Sequence, residues 1–301
     1  MICASVDIGT NTLLLLIAEV IDGKIIKIIA DEHQIARLGE GLNESGIISD
    51  RAIIRASRIL HDYKLLMSRY NVAVVNATAT SAMRDAKNNV KVKELFESIL
   101  GTKINIINGL EEARLSYIGS IEKSTNNFDV VLDIGGGSTE IIAGRNSSIE
   151  FSTSLQIGAV RITEIFFKDF ASKRQNLDEA RLMIKDRYKE ITFGEKVNDL
   201  IAVAGTPTTI AAIDLNLPQY NAHLIHNHKL KRNNLESIVE IFINKKSEEL
   251  VKEYNVHPNR ADVILGGALI LLEFLIHADK SELIVSCRGL RYGLILDIFK
   301  K

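Results

Sequence analysis

Two short segments carry the residue types that phosphate chemistry needs: Asp7-Ile-Gly-Thr-Asn-Thr12 and Asp133-Ile-Gly-Gly-Gly-Ser-Thr-Glu140. Each follows an apolar run with strand character, so each sets a carboxylate at the end of a buried strand. Gly9 in the first, and Gly135, Gly136 and Gly137 in the second, let backbone amides approach a phosphate oxygen closely. Thr10, Asn11 and Thr12, like Ser138 and Thr139, add side-chain donors. A carboxylate repels phosphate, so Asp7 and Asp133 suit a cation or a water better. One such segment reads equally well as a strand ending in a turn. Two, in matching surroundings, point to a pair of phosphate loops, expected to face each other across a cleft between two domains.

A third segment, Ala204-Gly205-Thr206-Pro207-Thr208-Thr209, joins an apolar strand to a helix whose first turn suits Pro207. Gly205 and Thr206 would stand at an anion seat, although a tight strand-to-helix turn explains the same residues. A fourth is Asn108-Gly-Leu-Glu-Glu-Ala-Arg114. Successive helix residues point about 100° apart, so only one of Glu111 and Glu112 can easily face a cleft. Both are also ordinary partners of a helix dipole. Their place between the first half's last strand and the second Asp loop favours a role in orienting or deprotonating water.

Arg37, Arg84, Arg161, Arg288 and Arg291 all lie among glycines or small residues. As a set they suit bidentate phosphate contacts, although any one is as readily a structural pair. His223, His226 and His228 share one loop with no acidic or cysteine neighbour in sequence, and read as surface or packing residues.

The elements that must position these residues repeat. Strands are expected over 2–6, 13–20 and 24–30, with Asp22-Gly23 as a hairpin turn, and again over 128–132, 141–144 and from 149. Each meander leads into helices and further strands: a long helix capped at Ser49 or Asp50 and running to about residue 70, a strand at 72–76, a helix ending near Gly101, a strand at 103–107 and a helix at 111–121. The second half offers helices at 160–169 and 177–191, a strand at 200–204, a mostly helical stretch to about 278, a strand at 283–286 and a terminal helix at 290–299. This is an internal duplication, giving two α/β domains of similar build. The boundary is expected in the polar stretch 123–127.

The 301 residues suffice for two such domains. An apolar fraction of 46% with 25% charged residues is that of an ordinary globular chain. A net charge of −1 excludes a global basic surface for duplex nucleic acid, so a polyanion needs local positive potential. Cys3 and Cys287 are too few and too distant for a disulfide framework and read as buried thiols. The apolar run 261–276 is interrupted and too short to span a bilayer, and no signal-like segment opens the chain, so no membrane role and a cytoplasmic location are expected. An exposed apolar seam on the 261–276 helix would make a homodimer plausible.

Taken together, these segments and their order resemble the exopolyphosphatase / guanosine pentaphosphatase (Ppx/GppA) family of the actin-like ATPase and sugar kinase superfamily. Further matches are Arg37-Leu-Gly-Glu-Gly-Leu42, Ala77-Thr-Ala-Thr-Ser-Ala-Met-Arg-Asp85, Ser154-Leu-Gln-Ile-Gly-Ala-Val-Arg161 and Arg288-Gly-Leu-Arg291. The resemblance implies an α/β fold of two actin-like (ribonuclease H-like) domains, 1–122 and 123–288, with 289–301 packing back on the first. It implies Glu112 as the water-activating base, and Asp133 with Glu140 holding metal and water. It implies Arg84 on the phosphoryl group, phosphate binding by the Gly9–Thr12 and Gly135–Thr139 loops, and Mg²⁺ as cofactor, with Asp133 and Asp7 as ligands. The implied substrates are polyphosphate and pppGpp. The chain is similar to the family's short form, which implies short polyphosphate chains, and it carries Cys287 and Tyr292 where relatives often have acidic residues. An ATP-dependent kinase of the same superfamily and a non-catalytic alarmone or polyphosphate sensor are the alternatives.

Overall fold

The computed structural model describes residues 1–121, 126–145 and 148–300. Most of the expected linker at 123–127 and the centre of the 145–148 turn lie outside these residues. Contacts group the chain into two units, Met1–Ile121 with Gly289–Lys301, and Glu122–Arg288.

The first unit begins with β1 (Ile2–Ile8), β2 (Thr12–Ile21) and β3 (Lys24–Ile35). It continues through α1 (Leu42–Ser45), α2 (Asp50–Arg69), β4 (Val74–Ala79), α3 (Ser81–Asp85), α4 (Asn89–Leu100), β5 (Ile104–Ile106) and α5 (Gly109–Ser120). The sheet order is β3-β2-β1-β4-β5, an antiparallel meander joined at β1 to parallel β4 and β5. Local signals fix the helices. The Ser49 side chain accepts a hydrogen bond from the Ala52 amide and starts α2, while Gly101 in the left-handed region ends α4. Ala52, Ala56, Leu60, Tyr63 and Met67 recur at helical spacing and bury one face of α2 in the sheet's core.

The second unit contains β6 (Asp129–Ile134), β7 (Thr139–Arg145), β8 (Ser148–Leu155), α6 (Ala159–Phe166), α7 (Phe170–Gln175), α8 (Leu177–Tyr188), β9 (Leu200–Val203) and α9 (Gly205–Asp214). Then follow α10 (Ala222–Ile225), β10 (His228–Lys231), α11 (Arg232–Asn244), α12 (Ser247–Tyr254), α13 (Pro258–Ala261), α14 (Ile264–His277) and β11 (Glu282–Val285). Its sheet runs β10-β11-β9-β6-β7-β8, so the same meander-plus-parallel plan recurs. Both sheets are mixed and accompanied by helices, the α/β build of two similar units that the repeated pattern suggests.

The terminal helix α15 (Leu290–Asp297) belongs to the first unit. Ser5 Oγ donates to the Arg291 carbonyl at 2.7 Å and Asn76 Nδ2 to that of Leu294 at 3.0 Å, tying α15 to β1 and β4. Its Gly293 crosses α5 so closely that a Cβ there would collide with the Leu115 carbonyl.

Two expectations change and one gains detail. The helix at 261–276 presents no exposed seam: α14 is buried from Ile264 through Leu275, because its surface is apolar all round and sits inside the unit's core. The stretch to about 278 is mostly helical as expected, and gains one strand, β10, whose short four-residue run beside β11 leaves little periodicity to read. His228 on β10 does have an acidic partner: Asp214 Oδ2 lies 2.7 Å from its Nε2, brought there by the fold from the end of α9. Among the described residues no helix is long and apolar enough to cross a membrane.

Candidate active site

In the first unit β1 delivers Asp7, only 8% exposed, into a turn closed by the Gly9 amide donating to the Thr12 carbonyl at 3.1 Å. The Thr10 carbonyl accepts from the Gly39 amide and the Asn11 carbonyl from the amides of Ala36 and Arg37. No peptide bond among the described residues is cis, so the N–H of each following residue, Asn11 and Thr12, points the opposite way. The Thr10 hydroxyl accepts from the Ala82 amide at 3.2 Å, joining the loop to α3.

The helix α3 presents Arg84, whose Nη1 donates to the Ile107 carbonyl at 2.9 Å and to Glu112 Oε2 at 2.7 Å. Glu112 stands in the first turn of α5 and is 7% exposed. Its neighbour Glu111 turns outward onto Arg114, which also reaches Asp297. The two adjacent carboxylates are thus divided, Glu111 for structure and Glu112 inward. Asn108 caps the helix by accepting from the Glu111 amide at 2.9 Å. Three buried polar atoms nearby, Asn11 Oδ1, Thr78 Oγ1 and Arg84 Nη2, have no hydrogen-bond partner among the described residues. Buried polar groups left in that state mark a ligand or solvent site more often than a packed core.

In the second unit β6 delivers Asp133, also 8% exposed, into the same turn: the Gly135 amide donates to the Ser138 carbonyl at 3.0 Å. Here the loop is pinned through its carbonyls. Gly135 O accepts from the Ala159 amide, Gly136 O from those of Val160 and Arg161, and Gly137 O from Arg161 Nε at 2.9 Å. Planar trans peptides then aim the amides of Gly136, Gly137 and Ser138 away from those carbonyl partners. Gly158 must be glycine, since a Cβ would strike the Gly136 carbonyl.

Glu140 lies directly across from Asp133 in the β6–β7 register and is fully buried. Ser154, opposite it on β8, donates to Glu140 Oε1 at 2.7 Å. Paired carboxylates with a nearby hydroxyl are hard oxygen donors of the kind Mg²⁺ takes. No cluster of three or more His, Cys, Asp or Glu able to hold a metal occurs among the described residues. Asp7, by contrast, faces Leu14 across β2.

The third segment forms as expected, β9 running into α9. Ala204 holds φ 78 and ψ −168, a region natural to glycine, at the turn into Gly205. The Gly205 carbonyl accepts from Arg260 Nη1 at 2.7 Å, and Thr206 is buried. Burial lowers the pKa of the Arg260 guanidinium.

Some expected ligands have other work. Thr139 is fully buried and its hydroxyl donates to the Ile157 carbonyl, because its side chain points into the sheet's packing rather than out of the loop. Arg161 braces Gly137, and Arg291 forms a bidentate pair with Asp31 at 2.8 and 2.9 Å, so neither is an open phosphate clamp. Two residues went unmarked as single sites: Ser154, visible only as the cross-strand partner of Glu140, and Arg260, distant in sequence from the turn it touches.

The family model described as the Ppx/GppA phosphatase family matches residues 16–301. The bifunctional 3-dehydroquinate synthase/phosphatase of Fusobacterium nucleatum is 36% identical over 98% of this chain, which spans 46% of that protein. Exopolyphosphatase 2 of Mycobacterium tuberculosis is 32% identical, over 90% of this chain and 88% of its own length. A crystal structure of the Aquifex aeolicus Ppx/GppA family member superposes with a TM-score of 0.83 at 31% identity, covering 99% of this chain and 97% of that one.

Proposed function

The chain belongs to the Ppx/GppA phosphatase family, and on that premise we propose that it is a phosphoanhydride hydrolase releasing terminal phosphate from inorganic polyphosphate, chiefly short chains, or converting pppGpp to ppGpp. The observation that carries this reading is the buried Arg84–Glu112 pair. Glu112 is a carboxylate sequestered from bulk solvent and oriented by a permanent cation, a proton acceptor suited to water. Arg84 retains a second donor nitrogen for a phosphoryl oxygen.

The remaining roles divide by unit. The Gly136, Gly137 and Ser138 amides bind phosphate oxygens, and Gly9 to Thr12 form the corresponding cradle of the first unit, with Asp7 as its candidate cation ligand. Asp133 and Glu140 would hold Mg²⁺ and help to place the attacking water. When bound, Mg²⁺ offsets the charge of the phosphates. Glu112 takes the proton of water as it attacks the terminal phosphorus in line, the bond from that phosphorus to the bridging oxygen breaks, and the shortened chain leaves with that oxygen. Gly205 and Thr206, at the start of α9, are a further phosphate contact.

The test is phosphate release with Mg²⁺ from short polyphosphate, long polyphosphate and pppGpp side by side, with ATP plus candidate acceptors as control. Release from one of the first three supports the hydrolase. Label transferred to an acceptor makes it a kinase, and tight binding without release makes it a sensor.

A further inference from the structure

Glu140 is fully buried, and a buried carboxylate with several rotamers is useful at a reaction centre only if something selects one of them. The strand register identifies that selector. Asp133, Glu140 and Ser154 lie directly opposite one another on β6, β7 and β8, so their side chains share one face of the sheet. The Ser154 hydroxyl donates to Glu140 Oε1 at 2.7 Å, the short distance typical of a hydroxyl on an ionised carboxylate. Ser154 is itself held by the β7–β8 ladder, which continues on both sides of it from Thr139↔Leu155 to Ile142↔Ser152.

We propose that Ser154 is a positioning residue for the reaction: its hydroxyl fixes the Glu140 carboxylate by occupying Oε1, which directs Oε2 to the face shared with Asp133. This rests on the role given to Glu140 above. Ser154 touches no reacting atom in this scheme and acts through Glu140 alone. The side chain one position before it on the strand, Thr153, points to the other face and provides a control for strand integrity.

The experiment compares Ser154→Ala, Ser154→Thr, Thr153→Ala and Glu140→Gln in steady-state phosphate release, thermal unfolding and calorimetric substrate binding. Supporting residues of this kind are expected to matter by roughly 10–100-fold. Ser154→Ala should lower kcat by that factor while KM, substrate affinity and Tm stay near wild type. Ser154→Thr, which keeps the oxygen on a β-branched strand residue, should restore most of the rate, and Thr153→Ala should leave kcat unchanged. Wild-type kcat in Ser154→Ala overturns the inference. So does a loss that follows a fall in Tm and is not rescued by threonine. If Glu140→Gln itself keeps full activity, the role of Glu140 fails, and that failure is distinguishable because Ser154→Ala then has nothing to act through.

Discussion

Across the first sheet the row that starts at Asp7 continues to Leu14 and His33, with Thr78 on the parallel side. Across the second, the row from Asp133 continues to Glu140 and Ser154, with Val203 on the parallel side. Both rows hang on the same strand order and the same amide-to-carbonyl turn after the Asp. Duplication therefore preserved the backbone device that presents a loop and its carboxylate, while cross-strand positions took on separate chemistry. The second unit gathers two carboxylates in one cross-strand row. The first has one carboxylate in its row and brings its second, Glu112, from a helix with an arginine attached. The units are similar in fold and differ in where their buried carboxylates come from.

The largest effect that would sharpen this contrast is at Glu112. Glu112→Gln is expected to reduce kcat by roughly 10²–10⁴-fold with substrate binding retained by calorimetry. Retention of more than a tenth of the wild-type rate would remove Glu112 from the base role. The matched pair in the two rows comes next. Glu140→Gln should cost about 100-fold in phosphate release, whereas Leu14→Gln, the same place in the first unit, should leave kcat unchanged. Equal losses would erase the distinction between the rows.

Stability effects are smaller and belong to one unit each. Arg291→Ala leaves Asp31 buried without its main cation and should destabilise the first unit by about 2–3 kcal/mol in urea unfolding. Burial raises the Asp31 pKa, but the His33 hydrogen bond and the Arg291 charge outweigh it and hold the group well below the usual carboxylate range. The pair's contribution is thus present at neutral pH, above the unfolded-state pKa, and is lost only as acid protonates the folded carboxyl. Stability of Arg291→Ala should converge on wild type in that acid range. The smallest effect expected is a gain: Ala204→Gly relieves the glycine-like backbone before α9 and should stabilise the second unit by about 1 kcal/mol.

Much of this was legible in the chain. Local chemistry marked the loops, the Ser49 cap and the Gly101 stop, because each depends on residues within a few positions. That only one of Glu111 and Glu112 turns inward followed from the helix angle; that it is Glu112 was implied by the family resemblance alone, and the structure shows Arg114 taking Glu111. What sequence did not disclose depends on register and distance. The Glu140–Ser154 bond crosses a hairpin with a bulge between Ala143 and Gly144, so its pairing cannot be counted from the turn. Asp214 meets His228, and Arg260 meets Gly205, only because helices return to the sheet. The apolar run at 264–275 looked like a surface seam for the opposite reason: a helix buried on all sides has no polar face to reveal its orientation.

The account's central claim is that water, deprotonated by Glu112, attacks the terminal phosphorus. It is tested most directly by a single turnover, enzyme in excess, in heavy-oxygen water with short polyphosphate and Mg²⁺, followed by mass spectrometry of both products. The account predicts one solvent oxygen in each released phosphate and none in the shortened chain. Solvent oxygen in the shortened chain, or phosphate released without it, would contradict the account.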